Sequence, residues 1–109
     1  MTAAHLIASG KIVGWHQGRI VLGPRAFGNR SILADPRLEE LKTMINRQIK
    51  FREVFRPFAA SILANRVGDL FMNPAASPYM SEVFHLKKQL NGLCPATTHL
   101  GGTTRLQTV

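Results

Sequence analysis

The sequence predicts a mixed α/β (α+β) fold, on three observations. Short segments rich in alternating or β-branched apolar residues, such as KIVGWHQ (11–17) and the run from Thr103 to Val109, read as strands. One segment places Leu38, Leu41, Ile45 and Ile49 at helical spacing. Glycine and proline punctuate the chain between such segments, with no repeat, low-complexity tract or linker. At 109 residues and 45% apolar content, the chain has material for one small core and is too apolar for wholesale disorder.

In order, residues 2–9 predict a short helix stopped by Gly10, and Lys11–Gln17 a strand that offers Ile12, Val13 and Trp15 for burial. Arg19–Leu22 reads as a second strand, Gly23-Pro24 as a turn and Ser31–Ala34 as a third strand. Asp35-Pro36 is a helix-start signal: Asp caps free N–H groups, Pro suits the first turn, and Glu39 and Glu40 complement the positive helix end. That helix is expected to reach about Gln48. Phe58–Leu63 predicts a strand, Val67–Met72 a short helix ended by Asn73-Pro74, and Glu82–Leu86 and Thr103–Val109 two more strands around a loop at 91–102. A domain seldom stops inside a strand, so the ending at Val109 predicts a piece of a longer protein.

Charge points to the partner. The net charge is +8, and residues 11–56 hold ten Lys/Arg against four Asp/Glu, so most of the excess lies in one half. An anionic ligand follows: a nucleotide, a phosphometabolite, a nucleic acid or a membrane surface. No run approaches the roughly 20 apolar residues that span a bilayer, and residues 3–9 are too short and mixed for a signal peptide. Cys94 stands alone, so no internal disulfide forms. A cytoplasmic location fits these features.

Two clusters concentrate the charge. In GRIVLGPRAFGNRSILADPR (18–37), Gly18, Gly23 and Gly28 alternate with Arg19, Arg25, Arg30 and Arg37. Glycine allows close backbone approach to a ligand, and arginine offers a planar fork that matches phosphate oxygens. In KFREVFRPFA (50–59), the even spacing of Lys50, Arg52 and Arg56 puts three cations on one face of an extended chain. Phe51 and Phe55 fall on the other. Pro57 pushes Arg56 toward that extended geometry. The competing reading is a solvated basic surface, with Glu53 neutralising Arg52 or Arg56. His5, His16, His85 and His99 show no metal-ligand spacing, and Ser31 and Ser61 no nucleophile elbow. The glycines match neither a phosphate loop ending in G-K-[ST] nor a dinucleotide fingerprint.

GWHQGRIVLGPRAFGNRSILADPR, INRQIKFREVFRPFAASIL, SPYM and THLGGTTRLQTV closely resemble the C-terminal region of the O-carbamoyltransferases, in order and from about Gly10 to Val109. That family includes enzymes acting on nodulation factors, antibiotics and cephem nuclei. The resemblance implies a partial YrdC-like fold, a twisted mixed sheet with flanking helices. It further implies binding of carbamoyl phosphate and ATP to form carbamoyl-adenylate, with Mg²⁺ carried mainly on substrate oxygens. An N-terminal domain of actin-like ATPase fold, with a histidine-bound iron or other metal, would then pass the carbamoyl group to an acceptor hydroxyl. By position, Arg25, Lys50, Arg56 and Arg105 are the implied phosphate ligands, with Arg52 and Arg30 as weaker candidates. Six negative charges, about the number that carbamoyl phosphate and a triphosphate bring together, need several fixed cations.

This chain departs from the family pattern at His16 and Phe27, where GWFQGR and ALGNR are usual, and at Gly101, where THxDGTxR carries an acid. The N-terminal domain and the end of the C-terminal domain are expected to lie outside this chain, which predicts little turnover for the chain alone. The alternatives are a non-catalytic basic module for nucleotide or RNA, disfavoured by the few aromatic residues, and an inactive remnant that dimerises through its open strand edge.

Overall fold

A computed structural model describes residues 2–109, which form two compact units, one ending at Asp35 and the other spanning Pro36–Val109. In the first unit, helix α1 (Ala3–Ala8) is capped by Thr2, whose hydroxyl accepts from the His5 N–H. Strands β1 (Val13–His16) and β2 (Arg30–Leu33) pair antiparallel, Val13 opposite Leu33 and His16 opposite Arg30. Trp15 lies on the more buried side of β1, as the alternation predicts. The strand expected at Arg19–Leu22 does not form. Ile20 and Leu22 are exposed, and residues 18–29 make an irregular connection instead.

The second unit opens differently from the sequence expectation. Helix α2 (Glu39–Met44) starts after Leu38, with no side-chain cap, rather than at Asp35-Pro36. The reason is a partner distant in sequence: the Pro36 carbonyl accepts from the Ala96 N–H at 3.1 Å, so it is not available to begin a helical ladder. The helix continues as a single π-type turn, Ile45–Ile49, closed by Lys50 N–H to the Ile45 carbonyl at 2.8 Å. Leu41 and Ile45 are buried as their spacing predicts. Ile49 is partly exposed, because the wider turn rotates it off the apolar stripe.

Strands β3 (Ala60–Ile62), β4 (Val83–His85) and β5 (Thr103–Thr108) form a mixed sheet in the order β3-β5-β4. β3 runs parallel to β5, Ala60 beside Leu106, and β4 antiparallel to it, Val83 beside Arg105. Helix α3 (Val67–Leu70) is two residues shorter than expected, since Phe71 turns extended and bridges Leu86. Val67, Phe71, Phe84, Leu86 and Leu106 make the core on one face of this sheet, with Phe71 and Phe84 edge to face at 6.3 Å. Thr104 shares the buried face and satisfies its hydroxyl by donating to the Thr97 carbonyl at 2.6 Å. Alternation therefore turns Arg105 to the opposite face. No described helix is long and apolar enough to cross a membrane.

Candidate anion-binding site

The KFREVFR segment is not the extended wall that its even spacing suggests. Phe51 adopts φ +48°, and a turn at Val54-Phe55 reverses the chain. Phe51 and Phe55, expected to back the cations, are instead 83% and 79% exposed. What shapes the loop is Asn46, completely buried within the π turn. Its Nδ2 donates to the carbonyls of Val54 at 3.2 Å and Arg56 at 2.9 Å, and its Oδ1 accepts from Arg52 Nε at 2.7 Å. The Asn46 carbonyl accepts the Arg52 N–H at 2.9 Å. One side chain thus ties both ends of the basic loop to the helix that precedes it.

Arg52 is held twice, by Asn46 and by stacking over the Phe58 ring at 4.8 Å. Burial lowers its pKa, the neighbouring Arg56 charge lowers it further, and Glu53 opposes both. The guanidinium stays charged at neutral pH all the same. Since Nε makes the bond to Asn46, the terminal Nη groups are left to offer a fixed fork. Lys50 is exposed, with no side-chain hydrogen bond or ion pair among the described residues. Arg56 makes one solvent-exposed contact with Glu53 at 3.8 Å, worth little in water. Arg105 precedes Leu106, which pairs with Ala60, so the basic loop runs into β3 at the end of the sheet where Arg105 sits.

In the first unit the glycine–arginine connection is braced from within. Arg30 Nη2 donates to the Gly23 carbonyl at 2.7 Å and Nε to the Val21 carbonyl at 3.4 Å, while Asn29 Nδ2 reaches the Arg19 carbonyl at 3.0 Å. Gly28, at φ +86°, donates its N–H to Ser31 Oγ at 3.1 Å, so that amide does not face a ligand. Arg30 therefore works as a strut, and Arg25 is left exposed, with no side-chain partner among the described residues.

Asn46 and Phe58 were not apparent as site residues from the sequence. The available signal was a poor helix former, Asn46, next to an apolar stripe and just ahead of three cations. Among the described residues no three His, Cys, Asp or Glu side chains are grouped to hold a metal ion.

Known proteins resemble this chain along nearly its whole length. The chain matches the family described as carbamoyltransferase C-terminus over residues 4–109. It is 46% identical to nodulation protein NolO of Bradyrhizobium diazoefficiens, over 99% of this chain and 20% of that protein. Nodulation protein NolNO of Sinorhizobium fredii is 47% identical, over 98% of this chain and 16% of its own length. Nodulation protein U of Rhizobium fredii is 44% identical, over 97% of this chain and 18% of its own length. The chain thus spans a fifth or less of these curated relatives. Since the match runs through both basic loops and the strand bearing Arg105, this chain belongs to the carbamoyltransferase C-terminus family.

Proposed function

We propose that this chain binds carbamoyl phosphate and ATP for a carbamoyltransferase, and helps convert them to carbamoyl-adenylate for transfer to a substrate hydroxyl. In this reading Lys50 and Arg56 take phosphate oxygens, Arg52 presents its fixed fork beside them and Arg105 supplies a further cation; Arg25, in the other unit, is a phosphate ligand on the family resemblance alone. Arg30 acts indirectly, by holding the connection that carries Arg25. The observation that supports this most is the Asn46 staple. A fully buried amide shapes a loop of three cations in which Lys50 has no protein partner, as a preorganised anion site requires. Adenylate formation moves charge onto departing pyrophosphate, and fixed cations stabilise that redistribution without reorganising. Mg²⁺ would enter on the triphosphate oxygens, where it neutralises part of their charge.

The test is calorimetric titration of this chain with ATP and with carbamoyl phosphate, beside ATP–pyrophosphate exchange in a full-length relative carrying the matching changes. A charge-assisted contact contributes about 1.5–3 kcal/mol, so Lys50→Ala and Arg56→Ala should each weaken ATP binding by about 10- to 100-fold. Exchange should require carbamoyl phosphate and collapse in the Arg25→Ala and Lys50→Ala counterparts. Unchanged binding and exchange in all of them would reject the assignment.

The exposure of Phe51 and Phe55 beside Lys50 and Arg56 favours a second reading, a non-catalytic module that stacks nucleobases of RNA. It predicts RNA binding that falls steeply with salt and weakens in Phe55→Ala. Salt-insensitive affinity sinks it.

A further inference from the structure

A second concave surface lies within the sheet-bearing unit, built from other residues than the basic loop. The cleft, about 480 Å³, is walled by His85 and Leu86 at the end of β4, by Lys88 and Asn91, and by the turn from His99 to Gly102. Its frame is closed by backbone hydrogen bonds. Met72 N–H meets the His85 carbonyl at 2.9 Å, Leu86 N–H the Gly102 carbonyl at 3.0 Å, and His99 N–H the Thr103 carbonyl at 2.8 Å. Both histidines are thereby tied to Thr103, His85 as its cross-strand neighbour and His99 through that turn bond.

The lining has one electrostatic sense. It contains two imidazoles, an ammonium and a carboxamide, and no aspartate or glutamate. The side chains of His85, Lys88, Asn91 and His99 have no hydrogen-bond or ion-pair partner among the described residues. The N–H groups of Leu100 and Gly101 make no backbone hydrogen bond there either. Met72 and Leu86 supply an apolar wall. A framed cleft with unpaired donors, an apolar side and no carboxylate suits an anion on an apolar body.

We propose that this cleft is a second ligand site, which takes a small organic anion: a phosphate or carboxylate group held by Lys88, His85, His99 and the turn amides, with its apolar part against Met72 and Leu86. The site is independent of the basic loop. Gly101 gives a clean handle, because a Cβ built there meets nothing within 4 Å and its backbone is not in the left-handed region. Gly101→Asp therefore adds a carboxylate at the cleft without a steric cost.

The experiment is an amide-resolved NMR titration of the full chain with phenyl phosphate and with benzoate, and with benzyl alcohol as the uncharged control. Both anions should shift Leu100, Gly101, Gly102 and His85 along one saturating curve, separable from any curve at residues 50–56. Benzyl alcohol should leave them nearly still. Gly101→Asp should weaken the cleft curve at least 10-fold and Lys88→Glu by a similar factor, with residues 50–56 responding as before. Equal shifts from benzyl alcohol would reduce the cleft to an apolar hollow and overturn the proposal. Anion shifts confined to residues 50–56, or Gly101→Asp binding as the parent does, overturn it as well. If Gly101→Asp loses its dispersed spectrum, Lys88→Glu decides, since the Lys88 side chain is exposed and contributes nothing to the core.

Discussion

Asn46→Leu removes the staple of the basic loop while keeping the branched side-chain shape. Three hydrogen bonds disappear, two from Nδ2 to the Val54 and Arg56 carbonyls and one from Arg52 Nε to Oδ1. The carbonyl bonds contribute about 1 kcal/mol each and the charge-assisted one about 1.5–2, so the loss is about 3–4 kcal/mol. For a chain of this size it corresponds to a fall in melting temperature of roughly 15–25 °C. Asn46→Asp separates the contributions. It keeps the acceptor for Arg52 but turns a carboxylate oxygen toward two carbonyls, and should also destabilise, by about 2 kcal/mol. Urea unfolding followed by circular dichroism measures both, and ATP titration should show affinity lost with the loop's shape. If Asn46→Leu unfolds within 1 kcal/mol of the parent, or Asn46→Asp matches it, the staple does not hold the loop.

Two further changes probe the loops from other directions. Phe51 holds a left-handed backbone with its ring in solvent, so Phe51→Gly should be neutral or stabilising by up to about 1 kcal/mol, read by thermal melting; a loss above that would show that the ring packs. Arg30→Ala removes both braces from the Val21 and Gly23 carbonyls, and should raise nanosecond motion at residues 20–25 in ¹⁵N relaxation while lowering stability by only about 1 kcal/mol. Unchanged relaxation would mean that Arg30 is not the strut.

What the sequence made legible was local. KIVGWHQ and the threonine-rich run at 103–108 carry strand alternation in their own residues, and the stripe from Leu38 to Ile45 carries a helix. What it hid was set by distant partners. Asp35-Pro36 has every mark of a helix start, yet Ala96, sixty residues on, takes the Pro36 carbonyl. The π turn depends on where Asn46 finds its acceptors, eight and ten residues later, and no spacing rule reports that. The same holds for the basic loop: the even spacing of its cations was real, but the extended backbone that would give it meaning was not there. The identity of the cations in both clusters was legible; the scaffolding around them, Asn46, Phe58 and Arg30's inward turn, was not.

The strand order has a consequence for how this unit is made. β5 follows both of its neighbours in the chain yet lies between them, so β3 and β4 have no ladder to join until residues 103–108 arrive. During synthesis both segments leave the ribosome with open edges and an unfinished core, since Leu106 fills the centre of the apolar cluster. A nascent chain halted after Gly102 would leave Ala60–Ile62 and Val83–His85 without their shared ladder partner, and a chaperone that engages it has most to protect at those two segments.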